Sequence, residues 1–374
     1  NPISSKDFRA LLVMPTMYVH RDNEDQMNDI FYFIAELVGS KARTEEEKVQ
    51  HGKDYYNSAK LPELDLTTEH GMDDMHELIW LERIYTKLDA LYARKVPFIA
   101  WDIPLEVDAS MSIAQVVGAL TNETRLLERT NVIGDTLSDP WYIKGVNRLT
   151  AKTVGTPTFY GSSQSATSLI KSKGLPIDKE EIKAIRKEFA VGGLAIMRQF
   201  KDAVIQNYNV HDPVIPMKIW NDTFDVHVNK FKPAGAKLVV TEAWTGFGRN
   251  KGYKKSYTHE PIMVPDYARM KLFWATCLIH NLDSQLVDRI PQRMPDDWML
   301  TIHDAVIAGP GVCARVRREY AIGLKEVNKN RNTILNDFRK SIGATTIKAD
   351  VAFFRLHEAT HQAENVPFNA SAMK

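Results

Sequence analysis

Apolar residues fall at helical intervals over residues 26–38 and again over 75–94, where Leu78, Ile79, Leu81, Ile84, Leu88 and Leu91 make one stripe. Between them, residues 40–65 are charged and polar and read as a surface excursion. A short apolar run at 96–99 has strand character. The chain stays extended over 102–108, because Pro104 does not belong in a helix interior. Residues 112–130 turn helical, and 180–207 form a long helical stretch, whereas 210–252 are broken by Pro213, Pro216, Pro233 and several glycines. Residues 270–290 are helical. The pattern over 298–308 predicts two short strands turning about His303-Asp304, closed by Gly309-Pro310-Gly311, before a last helix over 312–338. There is no internal repeat. Strands and helices interleave irregularly, which predicts an α+β, mostly helical fold rather than a doubly wound sheet.

The 374 residues suffice for two or three domains, and 44% hydrophobic with 25% charged residues excludes wholesale disorder. No run approaches eighteen apolar residues, so no membrane helix is expected. The start at Asn1 lacks a basic-then-apolar leader and an initiating Met, and reads as trimmed. Two cysteines, Cys277 and Cys313, exclude a disulfide framework and a thiolate zinc site, which points to a reducing, cytoplasmic setting. The net charge of +1 hides a segregation. Residues 141–260 hold 19 Lys+Arg against 10 Asp+Glu, a surplus of nine, and the remainder is correspondingly acidic. A cationic block beside acidic flanks suits a polyanion-holding element next to a metal-holding one, or equally solvated helix surfaces.

Two carboxylates far apart in sequence carry the chemistry. Asp108 leaves a short strand, followed by Ala109, whose carbonyl is a candidate ligand, and Asp304 sits in a turn between apolar segments. If those strands pair, the acids converge, and like charges a few Å apart call for divalent cations such as Mg²⁺. Each is also an ordinary turn residue when taken alone. Arg148, Lys152, Thr156 and Tyr160 recur every four residues, so a helix sets two cations and a phenol on one face. Such a face can clamp a triphosphate, or simply snorkel into solvent.

Taken in order, these residues resemble the single-subunit phage and mitochondrial RNA polymerases, relatives of the family A DNA polymerases. Asp108-Ala-Ser110-Met-Ser112-Ile-Ala-Gln115 looks like motif A, Arg148-x3-Lys152-x7-Tyr160-Gly161-Ser162 is similar to motif B, and His303-Asp304-Ala305 resembles motif C. His280-Asn-Leu-Asp283-Ser284 resembles the segment whose His approaches the ribose 2′-hydroxyl. The resemblance implies a right-hand palm with a short antiparallel sheet and a helical fingers domain. Residues 1–95 would lead into the palm, 96–125 carry motif A, 126–279 form the fingers, and 280–374 hold motif C and a tail. It further implies two Mg²⁺ ions on Asp108, Ala109 and Asp304, phosphate binding by Arg148 and Lys152, and nucleotide contacts from Tyr160 and His280, with Ser162 and His303 nearer the nucleic acid. NTPs, a DNA template and an RNA product are the implied ligands, in the cytoplasm of an infected bacterial host.

The sequence departs from the family patterns in four respects that matter. Ile113 stands where RNA polymerases have Gly and DNA polymerases a sugar-excluding Glu, while Ala305 replaces the Glu that DNA polymerases prefer in motif C. Gly155 and Pro157 fall inside the expected motif B helix and should kink it. No Asp-x-x-Gly-Arg segment occurs in residues 1–107. The resemblance is therefore to the catalytic subunit of a split, two-chain phage enzyme, with a second subunit supplying that segment and the N-terminal region. Template choice then falls to another factor, such as a single-stranded-DNA-binding recruiter.

Residues 246–255 interleave Arg249, Lys251, Lys254 and Lys255 with aromatics, which suits a nucleic-acid backbone or a solvated basic turn. His357-Glu358-Ala-Thr-His361 matches a zinc-protease pattern, but no third protein ligand stands at the spacing that catalytic zinc needs. The rival classes are a family A-like DNA polymerase and a non-catalytic nucleic-acid-binding protein.

Overall fold

The computed structural model describes residues 13–58, 69–134, 137–159, 178–189, 214–227, 231–245, 252–265 and 267–341, with single positions between 168 and 175. The described chain is α+β. Strand β1 (Met17–His20) pairs antiparallel with β2 (Phe98–Trp101). Between them lie helices α1 (Glu24–Leu37), α2 (Glu45–Asn57) and α3 (Glu69–Ala93). The stripe expected on α3 is the buried one: Leu81, Ile84, Leu88 and Leu91 are fully enclosed.

Helix α2 corrects the expectation of a surface excursion over 40–65. Thr44 caps it by accepting the Glu47 N–H at 3.1 Å, and Glu45, Glu46 and Glu47 complement the positive end of the helix dipole. The helix lies against α1 at Gly52, where an added Cβ would overlap the Phe31 carbonyl oxygen. Lys48, also on that side, is buried, ion-paired with Glu36, and sets its ammonium over the Tyr32 ring. The only fully buried residues of this helix are a glycine and a lysine, with Val49, Tyr55 and Tyr56 half-buried beside them, which leaves a weak apolar stripe to detect.

Strand β3 (Leu105–Asp108) runs into α4 (Ser112–Thr121) and α5 (Thr124–Arg129). The single helix expected over 112–130 is thus two. Asn122, left-handed at φ +53°, ends the first, and its side chain accepts a hydrogen bond from Asn328 at 3.0 Å. Helix α6 (Arg148–Phe159) contains Pro157, and Asn147 caps its start by accepting from the Leu149 N–H. Gly155 is a packing feature: an added Cβ would stand 2.7 Å from Trp141 and 2.9 Å from Phe189, which projects from α7 (Lys179–Phe189). The remainder of the helix expected over 180–207 lies outside the described residues.

The stretch expected to be broken over 210–252 is largely strand: β4 (Val214–Ile219) with β5 (Asp222–His227), then β6 (Phe231–Thr245) with β7 (Gly252–Pro265). Pro216 and Pro233 are tolerated because among the described residues each ribbon has two strands, so every strand keeps an open edge where no N–H is owed, while Pro213 lies outside the described residues. Helix α8 (Tyr267–Arg293), the hairpin β8 (Met299–Ile302)–β9 (Ala305–Ala308) and α9 (Cys313–Ser341) complete the order. The three-stranded sheet runs β3-β9-β8, all antiparallel, with β9 central and fully buried. Helix α9 packs across α4, β4, α8 and β3. Its first turn is held by Asp29 of α1, whose carboxylate accepts from the Gly311 and Cys313 N–H groups at 2.8 and 3.0 Å. Among the described residues no helix is long and apolar enough to cross a membrane.

Candidate active site

The β3–β9 register decides where the two acids stand. Asp108 lies opposite Ala305, the residue after Asp304, and the Ala109 N–H donates to the Asp304 carbonyl at 3.3 Å. Ile302 pairs with Ala305, so His303-Asp304 is a two-residue turn, and His303 takes the left-handed conformation at φ +55° that such a tight turn requires. Asp108 and Asp304 therefore meet at one end of one sheet. Beneath them is a buried polar chain. The Tyr320 hydroxyl of α9 donates to Gln115 Oε1 at 3.1 Å, and Gln115 Nε2 donates to Ser110 Oγ and to the Thr130 carbonyl, each at 3.0 Å. This chain fixes the Asp108–Ser112 segment to the last helix.

Above the acids opens a cleft of about 720 Å³. Its lining includes Asp108, Ala109, Asp304 and His303 from the sheet, Arg148, Lys152 and Thr156 from α6, and His280 and Asp283 from α8. One turn of spacing on α6 puts its three residues on a common side, as the four-residue period predicts. Lys152 is exposed. Arg148 is also exposed but engaged, its Nε donating to Asp139 at 2.8 Å. Ile113, the residue at the sugar-discriminating position, is buried and faces the same cleft. Tyr160, Ser162, Arg249 and Lys251, with His357 and His361, lie outside the described residues. Lys254 and Lys255 belong to β7, and Lys255 is not among the described residues that line the cleft.

The site concentrates negative charge. Asp283 has its carboxyl pushed up to about 7, first by burial and then by the neighbouring Asp304, against a hydrogen bond from Ser112. Its Oδ1 is buried without a hydrogen-bond partner. Tyr320 is raised far above the ordinary phenol range by burial and by Asp283, Asp304 and Asp108 together. Among the described residues no group of three or more His, Cys, Asp or Glu side chains is placed to hold a metal ion. Two carboxylates that share a cleft with room for water and phosphate oxygens suit Mg²⁺, which keeps several such ligands of its own.

Trp141, which also lines the cleft, Asp283 and Tyr320 stand outside the site residues that the sequence points to. Asp283 had a usable signal, standing three residues after His280 on one helix face. Tyr320 had none, since its role rests on a contact 205 residues away in sequence.

No family model matches the chain, and no curated protein matches it.

Proposed function

We propose that this chain is the catalytic subunit of a DNA-dependent RNA polymerase of the single-subunit type, with palm and fingers, acting with a second subunit. The observation that carries this is the meeting of Asp108 and Asp304, 196 residues apart in sequence, in one cleft with Lys152 and Arg148. Asp108 and Asp304, with the Ala109 carbonyl, would hold two Mg²⁺ ions. When bound, these lower the pKa of the primer 3′-hydroxyl and neutralise the departing pyrophosphate. Lys152 binds the triphosphate electrostatically, and Arg148 does so after exchanging its Asp139 partner for phosphate oxygens. The wall of α8 presents His280 to the sugar, and the resemblance gives Tyr160 a contact with the nucleotide. The Gln115–Tyr320 chain keeps the Asp108 strand end in place throughout.

The test is extension of an RNA primer on a DNA template with Mg²⁺ and either rNTPs or dNTPs, with and without any stoichiometric co-purifying polypeptide. Incorporation of rNTPs that disappears in Asp304→Ala supports the assignment. Preferential use of dNTPs would make the enzyme a DNA polymerase, and salt-sensitive DNA binding without incorporation would make it a binding protein.

A further inference from the structure

A third carboxylate stands near the paired acids. Asp283 of α8 lines the cleft with Asp108 and Asp304, and its Oδ1 is buried without a hydrogen-bond donor. Among the described residues, the influences on its charge are burial, Asp304 and the Ser112 side chain, with no ammonium or guanidinium among them. Ser112 is the first residue of α4, so this contact ties α8 to the segment that follows Asp108. The arrangement opposes folding. A buried carboxylate oxygen without a donor gives up its hydration for nothing in return, and a second acid beside it adds like-charge repulsion. Two other acids show the usual remedies. Asp29, also buried, accepts from two backbone N–H groups and faces Arg317. Asp288, five residues along α8 and lining the same cleft, is exposed and accepts from the Ser284 hydroxyl at 3.1 Å.

We infer that Asp283 is a positioning residue for the divalent cation that Asp108 and Asp304 would hold, supplying a third negative charge from outside the ligand set. The inference rests on the cation site proposed above. Asp283 is not itself a third ligand, since among the described residues no group of three or more acids, His or Cys is placed around one ion. Its effect is electrostatic. A doubly charged cation at the two strand ends turns the repulsion between Asp283 and Asp304 into a shared attraction, which a buried setting strengthens relative to water. The Ser112 contact holds the carboxylate in place while it acts. Groups that support a metal site from outside its ligands typically change the affinity by about ten- to a hundredfold.

The test measures Mn²⁺ binding to the full-length chain, with any stoichiometric co-purifying polypeptide, at pH 8 and without nucleotide, from the electron paramagnetic resonance signal of the free ion. Asp283→Asn, equal in shape and neutral, is expected to weaken binding at least about tenfold. Asp288→Asn removes an exposed acid from the same cleft and should stay within about twofold of the unaltered chain, because solvent and salt screen that charge. Asp304→Ala should abolish the binding, which locates the ion at the paired acids. An unfolding midpoint in chelator no lower than that of the unaltered chain shows that Asp283→Asn folds, and Asp283→Ser repeats the measurement with a smaller neutral side chain. Affinity unchanged in Asp283→Asn, or lowered no more than in Asp288→Asn, overturns the inference, as does a chain that binds no Mn²⁺ or binds it without Asp304. Primer extension on the same samples separates the two proposals. A cation site that needs Asp283, in a chain that incorporates no nucleotide, keeps the inference and removes the polymerase assignment. Incorporation with a cation affinity indifferent to Asp283 does the reverse.

Discussion

At the scale of single residues, the cleft divides its side chains by what their loss should do. Asp108→Ala and Asp304→Ala each remove one of the two converging carboxylates, so primer extension should fall at least about a thousandfold while template binding, measured by anisotropy, holds. Lys152→Ala should mainly raise the apparent KM for NTP, by about tenfold or more, because a phosphate contact is lost. Asp283 gives a pH signature. Its folded-state pKa lies above its unfolded one, so the folded protein binds the extra proton between about pH 4 and 7. This contribution to stability is full below pH 4, declines as pH rises towards 7, and is lost above it. Asp283→Asn, measured in chelator, should therefore raise Tm by about 5 °C at pH 8 and change it little at pH 4.5. Equal shifts at both pH values would remove the buried-charge explanation. The paired acids were legible in the sequence because strand ends that carry lone carboxylates between apolar runs are unusual. The engagement of Arg148 by Asp139 was not, since nothing in a nine-residue separation across a turn specifies that the two side chains meet.

At the scale of elements, the α1–α2 contact shows how a helix can be packed on a glycine and a lysine stem flanked by a few half-buried apolar side chains. Gly52→Ala has no room against the Phe31 carbonyl and should cost about 3 kcal/mol in chemical denaturation, forcing α2 away from α1. Tyr320→Phe is milder. It leaves Gln115 Oε1 buried without its hydroxyl donor, a loss of about 1 kcal/mol. It should also slacken the Asp108 segment, which a fall in kcat with KM unchanged would report. The long helices α3, α8 and α9 were readable from periodicity because most of their buried positions are apolar. The ribbons β4–β5 and β6–β7 were not, because Pro216 and Pro233 argue against strand in any context except an open edge, and edges are a property of the sheet rather than of the segment.

At the scale of the whole molecule, α+β architecture followed from the irregular alternation of periods, whereas the sheet order β3-β9-β8 depends on which distant segments pair. Pairing of that kind has no local signature. It also sets a timetable. With Asp108 and Asp304 196 residues apart, closing the loop between them is a late, entropically costly event in folding. On the ribosome, the cleft cannot exist until the hairpin about His303 has emerged and docked beside a strand synthesised long before. Chains cut short anywhere upstream of that turn are therefore released without the second carboxylate and with no sheet to form the floor of the cleft.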